Sequence, residues 1–269
     1  MSLTSSGKAA GNRYRWRDKA DGAGEASATP RRAGYASWKT AMDLAVASLL
    51  VVPAGAVIAL LVLLVRATSK GPGIYRQLRV GQDGRQFTIY KIRTMRVDAE
   101  AASGPVWTQP RDPRVILLGR ILRKMHLDEL PQIFNVLRGE MSFVGPRPER
   151  PEFVRVLSEA VPDYRERIAV RPGITGLAQI NLPPDTDLRS VRRKLALDMH
   201  YIQHGDLWLD VRLLLCTALR VFKVHEGFLT CVFGLRRPEL LAAVDASAGC
   251  CPWPQETTPE TLLRQVVQA

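Results

Sequence analysis

The feature that most limits how this chain can fold is a continuous apolar run from Leu44 to Val65, with Pro53 and Gly55 inside it. At about 1.5 Å per residue the run just covers a hydrocarbon core of roughly 30 Å, so a spanning helix is the first expectation. Two features oppose it. Pro53 removes a hydrogen bond near the middle of the run. Basic residues flank both ends, Arg31, Arg32 and Lys39 before it and Arg66, Lys70, Arg76 and Arg79 after it. The positive-inside rule then holds both ends on the cytoplasmic side. A helix–break–helix over residues 38–68, entering one leaflet and turning back at Pro53, satisfies both facts.

Charge narrows the partners. The 269 residues carry a formal net charge of +12, which favours anionic partners: nucleic acid, anionic membrane lipid or a nucleotide sugar. No nucleic-acid-binding motif is present and aromatics are sparse, so nucleic acid is not expected. Residues 1–37 are rich in Gly, Ala, Ser and Arg, have no apolar period, and read as a disordered basic arm. The arm either docks on anionic headgroups or is a solvated tail. It is not a secretory signal, because the apolar run starts too late and no clear cleavage site follows. Cys216, Cys231, Cys250 and Cys251 form no CxxC pair and read as reduced thiols of a cytoplasm-facing protein.

Beyond the run, Ile74–Val80 and Gln86–Ile92 flank Gln82-Asp83-Gly84 and predict a β-hairpin, since Asp-Gly is a strong turn signal. Gly81 and Gly84 do not make a phosphate loop, because no GK[ST] and no helix follow. Lys91 and Arg93 share a strand face and are either surface charges or ligands for a diphosphate. Arg114 to Met125 reads as an amphipathic helix leading to two adjacent carboxylates, Asp128 and Glu129, with Arg123 and Lys124 just before them. Leu130, Ile133, Phe134 and Leu137 recur at helical spacing, Pro131 is tolerated in a first turn, and Gly139 ends the pattern. Both carboxylates are thus expected at a helix N-terminus, where the dipole lowers their pKa. Asp128 is then either a cap or an ionised nucleophile.

The stretch LDELPQIFNVLRGEMSFVGPRP resembles the bacterial sugar transferases, the monotopic enzymes that load a sugar phosphate onto a polyprenyl phosphate carrier. Three further segments match: Tyr75-Arg76-Gln77 with Lys91-Ile92-Arg93-Thr94-Met95, then Val170 through Gly176, then Leu197-Asp198 with Tyr201-Ile202. The resemblance runs from about Trp38 to about Phe222. It implies an α+β, membrane-associated domain with a re-entrant N-terminal helix broken at Pro53, a β-hairpin and several interfacial amphipathic helices. The family commonly has Ser before the proline, where this chain has Val52. The organisation expected is a basic arm at 1–37, the membrane helix at 38–68, a catalytic domain at 69–222 and an extension at 223–269.

The resemblance also implies the chemistry. Asp128 attacks the sugar-proximal phosphorus of a uridine diphosphate sugar (UDP-sugar) and releases UMP. Undecaprenyl phosphate then takes the sugar phosphate from the aspartyl intermediate, the first membrane step of exopolysaccharide or glycan synthesis. A carboxylate attacking a diphosphate meets repulsion, so Mg2+ is expected, with Glu129 as its ligand. Lys91, Arg93, Arg123 and Arg147 are expected to hold phosphate oxygens, and Arg171 and Asp198 to act behind them or on the nucleotide. The setting is the bacterial inner membrane with the catalytic domain facing the cytoplasm, and a homodimer is left open. The competing reading is a non-enzymatic, membrane-anchored basic scaffold for polysaccharide assembly. It accounts for the anchor and the charge but not for Asp-Glu set between ordered cations.

Elsewhere, Thr186 to His204 reads as a capped helix and Asp206 to Phe222 as an amphipathic one, either core or in the headgroup plane. His200 and His204 are four apart but lack a third metal ligand nearby. Asp98 to Pro113, with Trp107, reads as a polar loop, Ser247 to Thr258 as a linker, and Thr258-Pro259-Glu260 as the start of a short last helix.

Overall fold

A computed structural model describes residues 30–100, 112–221, 226–246 and 261. Most of the basic arm, Trp107 with most of its loop, Cys250, Cys251 and the start of the last helix lie outside the described residues. Helix α1, Pro30–Thr68, comes first and is followed by the hairpin of β1, Ile74–Val80, and β2, Gln86–Ile92. Next come α2, Leu117–Lys124, a 3-10 turn at Leu127–Gln132, and α3, Ile133–Leu137. Strand β3, Ser142–Val144, and helix α4, Pro151–Ala160, precede a further 3-10 turn at Tyr164–Ala169. Strand β4, Gly173–Thr175, leads into α5, Leu177–Asn181, and α6, Leu188–His204. The described chain then continues through α7, Leu207–Val221, α8, Glu226–Val232, and α9, Pro238–Ala246. This is a helix-rich α+β arrangement with two two-stranded sheets, β1–β2 antiparallel and β3–β4 parallel.

Helix α1 explains how an apolar segment and a polar domain share one chain. Lys39, Asp43, Ala47, Ile58, Leu61 and Val65 are buried, and Val51 and Ala54 are half-buried between them. The spacing of three and four keeps one stripe turned inward over the whole helix. Ala47, Val51 and Ala54 pack with Phe87, Ile89 and Ile133, whereas Ile58, Leu61 and Val65 pack with Ile92 and Leu122. On the outside Leu49, Val52, Leu60 and Leu63 are exposed. By length and composition Tyr35–Thr68 is able to cross a membrane.

Two separate helices with a break at Pro53 were expected, and α1 instead runs as one helix with Pro53 inside it. The cause is packing. The helix is seated against the domain on both sides of the proline, so one missing N–H does not end it.

The hairpin forms with the register the sequence predicts, Ile74 opposite Ile92 and Val80 opposite Gln86. Asp83 and Gly84 both take positive φ in its turn. Helix α4 belongs to the core: Phe153, Val156 and Leu157 pack with Leu188 and Val191 of α6. Helix α6 starts with a capping box between Asp187 and Ser190. Helix α7 divides its faces, with Leu209, Leu213 and Cys216 buried and Trp208, Leu215 and Leu219 exposed.

Candidate active site

Asp128 and Glu129 sit in the 3-10 turn Leu127–Gln132, entered through His126 in the left-handed conformation at φ 55°. The predicted helix from Glu129 is therefore shorter: α3 begins at Ile133, and Gly139 follows it at φ 72°. Neighbouring elements fix the turn. It packs on β2, on α2 and on the inner stripe of α1, with Leu127 and Leu130 against the cluster of Leu61, Val65 and Leu122. Asn135 ties α3 to β2 by donating to Thr88 O at 2.7 Å and accepting from Tyr90 N at 3.3 Å.

Glu129 is caged by two cations. Lys91 Nζ donates to its Oε1 at 2.8 Å, and the Arg147 guanidinium reaches both carboxylate oxygens, Nη1 at 3.3 Å to Oε2 and Nη2 to Oε1. This is the two-pronged geometry that makes arginine a strong carboxylate and phosphate partner. Asp128, by contrast, is 8% exposed and its carboxylate makes no hydrogen bond or ion pair among the described residues. Arg123 stands nearby, its Nε donating to Thr94 Oγ1 at 2.8 Å.

The electrostatics correct one expectation. The helix N-terminus was expected to lower both pKa values. Burial, and then the charge of Glu129, instead push the Asp128 carboxyl up, against the pull of Lys91, Arg123 and Arg147. A five-residue α3 that begins only at Ile133 supplies no dipole at Asp128 strong enough to reverse this. Burial also opposes the Glu129 anion, but Arg147 and Lys91 outweigh it and hold that carboxyl well below the usual range. Burial lowers Lys91, and Glu129 works in the opposite direction. Three cations thus act on two carboxylates, leaving the site with one positive charge over before any anion enters.

The remaining predicted residues separate. Arg93 lies away from the carboxylates: its guanidinium donates to Lys70 O and Ser69 O, both at 2.8 Å, and closes the C-terminal end of α1. Arg171 bonds Thr40 Oγ1 on α1. Asp198 is 2% exposed and accepts from Arg167 Nε at 3.1 Å and Nη2 at 2.7 Å. Arg167 in turn reaches the main chain of Arg147 at 3.1 Å, so Asp198 connects to the site through another residue. Arg167 was not singled out in the sequence, and only its place before Val170 through Gly176 could have drawn notice. His200 accepts from Arg237 Nε at 3.1 Å.

Among the described residues no three carboxylate, histidine or cysteine side chains converge as a metal cluster. A cation here would rest on Glu129, whose oxygens keep free lone pairs beside the present donors. That donor set fits magnesium, which takes one or two carboxylates and completes its shell with water and phosphate oxygens.

A family model described as bacterial sugar transferase matches residues 34–224. An undecaprenyl-phosphate glucose phosphotransferase of Komagataeibacter xylinus is 40% identical over 198 residues, 71% of this chain and 37% of the relative. A UDP-N-acetylgalactosamine-undecaprenyl-phosphate N-acetylgalactosaminephosphotransferase of Aeromonas hydrophila is 40% identical over 202 residues, 75% of this chain and 46% of that protein. A UDP-glucose:undecaprenyl-phosphate glucose-1-phosphate transferase of Caulobacter vibrioides is 40% identical over 192 residues, 71% of this chain and 72% of its own. The match covers less than half the length of the first two relatives.

Proposed function

The chain belongs to the bacterial sugar transferase family, and from that premise we propose that it transfers a sugar 1-phosphate from a UDP-sugar to undecaprenyl phosphate, releasing UMP. The observation that carries the reading is the asymmetry of the two adjacent carboxylates. Glu129 is immobilised between Arg147 and Lys91, while Asp128 keeps its oxygens unengaged under the same positive field. A nucleophile needs a free lone pair, and a second carboxylate held beside it fixes the cations that receive the phosphate.

Asp128 attacks the sugar-bearing phosphorus, the bond to the UMP oxygen breaks, and an aspartyl phosphosugar forms. The phosphate oxygen of the lipid then attacks the same phosphorus and frees Asp128. Burial raises the affinity of Asp128 for protons, which also makes its anion more basic. Lys91, Arg123 and Arg147 hold the phosphate oxygens, their surplus charge offsetting the repulsion between carboxylate and diphosphate. Bound magnesium, resting on Glu129, would supply further neutralisation of the diphosphate.

The membrane arrangement belongs to the same proposal. Both ends of α1 are held by one domain, Lys39 by Asp210 and Val65 within the cluster of Ile92 and Leu122. A helix so bound cannot place its ends on opposite sides of a bilayer without tearing that packing. Its outward face, Leu49, Val52, Leu60 and Leu63, is suited to one leaflet of the inner membrane, with the domain on the cytoplasmic side. The exposed Leu117 and Ile121 of α2 and Trp208 of α7 suit the headgroup layer.

The test of the activity is release of UMP by purified protein from UDP-glucose and UDP-N-acetylgalactosamine, with and without undecaprenyl phosphate. Release from either donor is expected; none from a broader panel would remove the reading. For topology, cysteine probes placed before Trp38 and after Arg66 should label from the cytoplasmic side alone, and labelling from opposite sides would refute the one-leaflet arrangement.

A further inference from the structure

Residues 145–149 carry Arg147 to Glu129, and the segment has little means of holding itself. Pro146 and Pro148 have no N–H to contribute to a ladder or turn. Its carbonyls are nonetheless held one after another from outside. Pro146 O accepts from Gly173 N at 2.9 Å, and Glu149 O from Val80 N at 2.9 Å. Between them, Arg147 O accepts from Arg167 Nη2 at 3.1 Å, and Pro148 O from Arg79 Nη1 at 2.9 Å. The first and last donors are main-chain groups on or beside the sheets. The two that flank the working side chain are guanidinium groups.

Each guanidinium is itself oriented. Arg167, 4% exposed, donates Nε and Nη2 to Asp198 Oδ2 and Nη1 to Tyr164 OH at 2.8 Å. Arg79 donates Nε and Nη2 to Gln77 Oε1 at 3.0 and 2.6 Å. A buried ion pair adds little stability over a well-packed apolar pair, so the effect of Asp198 and Arg167 is to be sought in what they hold. Close packing leaves the segment no alternative seat, since a Cβ on Gly173 would overlap the Gly145 nitrogen.

We propose that Arg167 and Arg79 are positioning residues for the transfer reaction: they grip consecutive carbonyls at Arg147 and Pro148 from behind and so aim the Arg147 fork, with Asp198 orienting Arg167. Neither touches the substrate. The inference rests on the reading of Arg147 as a phosphate-holding group. It also gives Asp198 a definite place, one step behind Arg167 and two behind Arg147. Lysine cannot replace either arginine, because one ammonium cannot face partners in three directions in a fixed plane.

The experiment is a double-mutant cycle on the full chain in lipid nanodiscs, reading kcat/KM for UMP release. Arg167→Lys and Arg79→Lys should each lower kcat/KM about tenfold to a hundredfold, the range expected when a reacting group is misplaced by about 1 Å. On top of Arg147→Ala the same changes should cost less than about twofold, since no fork is left to aim. Full, multiplicative losses in the Arg147→Ala background would overturn the proposal, because a general loss of fold or a direct substrate contact persists without Arg147. Amide exchange at Gly173 and Val80, whose N–H groups donate to Pro146 O and Glu149 O, gives a readout independent of turnover. Both lysine variants should accelerate it there and leave α4 unchanged, whereas unchanged exchange at Gly173 and Val80 would refute the grip. A wild-type protein that releases no UMP would sink the proposed function, and the exchange measurement would still decide whether the segment is held as described.

Discussion

Asp210 and Glu129 are both carboxylates bonded to a lysine, and their surroundings differ in completeness. Asp210 is fully buried; Lys39 Nζ and Tyr35 OH donate to its Oδ2 at 2.7 and 2.8 Å, and Tyr201 OH donates to Oδ1 at 2.7 Å. It has one cation and two phenols, and each of its oxygens accepts a bond. Glu129 has two cations and, next in sequence, a carboxylate with no bond of its own. The first cluster is closed and clamps α1 to α7. The second is left with positive charge over and an unengaged carboxylate, and on the proposed function it receives an anion. On the proposed function, similar residue types thus give a structural joint where both carboxylate oxygens are bonded, and a reactive site where those of Asp128 are not.

The contrast can be broken at either end. The largest effect is expected from Asp128→Asn, which should lower turnover by orders of magnitude while leaving the melting temperature nearly unchanged, because the lost charge held nothing. A large drop in melting temperature would make Asp128 a structural residue. Asp210→Asn should do the reverse. It strands the Lys39 ammonium in a buried place, which costs about 3–5 kcal/mol of stability, and should spare kcat in the molecules that remain folded. Denaturant unfolding beside an active-site titration separates the two. Arg147→Lys keeps the charge but loses the fork, so kcat/KM should fall about tenfold to a hundredfold at saturating magnesium; wild-type turnover would leave Arg147 outside the chemistry. The smallest change, Tyr35→Phe, removes one of the donors to Asp210 and should cost about 1 kcal/mol with no loss of rate.

Local patterns were legible in the sequence and distant pairings were not. The hairpin could be read to the residue because alternation and Asp83-Gly84 are signals within a dozen positions. The dyad could be read because Asp128 and Glu129 are adjacent, while Lys91 and Arg147, 38 and 18 positions away, were reached through the family resemblance. The pKa direction at Asp128 was missed because the sequence suggests a helix start, and the chain makes a 3-10 turn with α3 delayed to Ile133. Arg93 looked like a phosphate ligand by its place two residues after Lys91. Only the fold reveals that the end of α1 lies within its reach. Arg167 meets Asp198 across 31 positions, and Arg79 meets Pro148 across 69, separations at which a single sequence carries no pairing signal. Pro53 was weighed as a helix breaker on local grounds, and tertiary packing on both of its sides overrides that preference.

The central claim is that the unengaged carboxylate is the one that bonds to phosphorus. Incubating the protein with UDP-sugar and magnesium, without undecaprenyl phosphate, tests it most directly. The account predicts UMP release up to one equivalent and a sugar phosphate left on the protein, placed on Asp128 by mass spectrometry and removed by hydroxylamine as an acyl phosphate. UMP that appears only once the lipid acceptor is added, with no adduct trapped on Asp128, would contradict it and point to direct transfer between the two substrates.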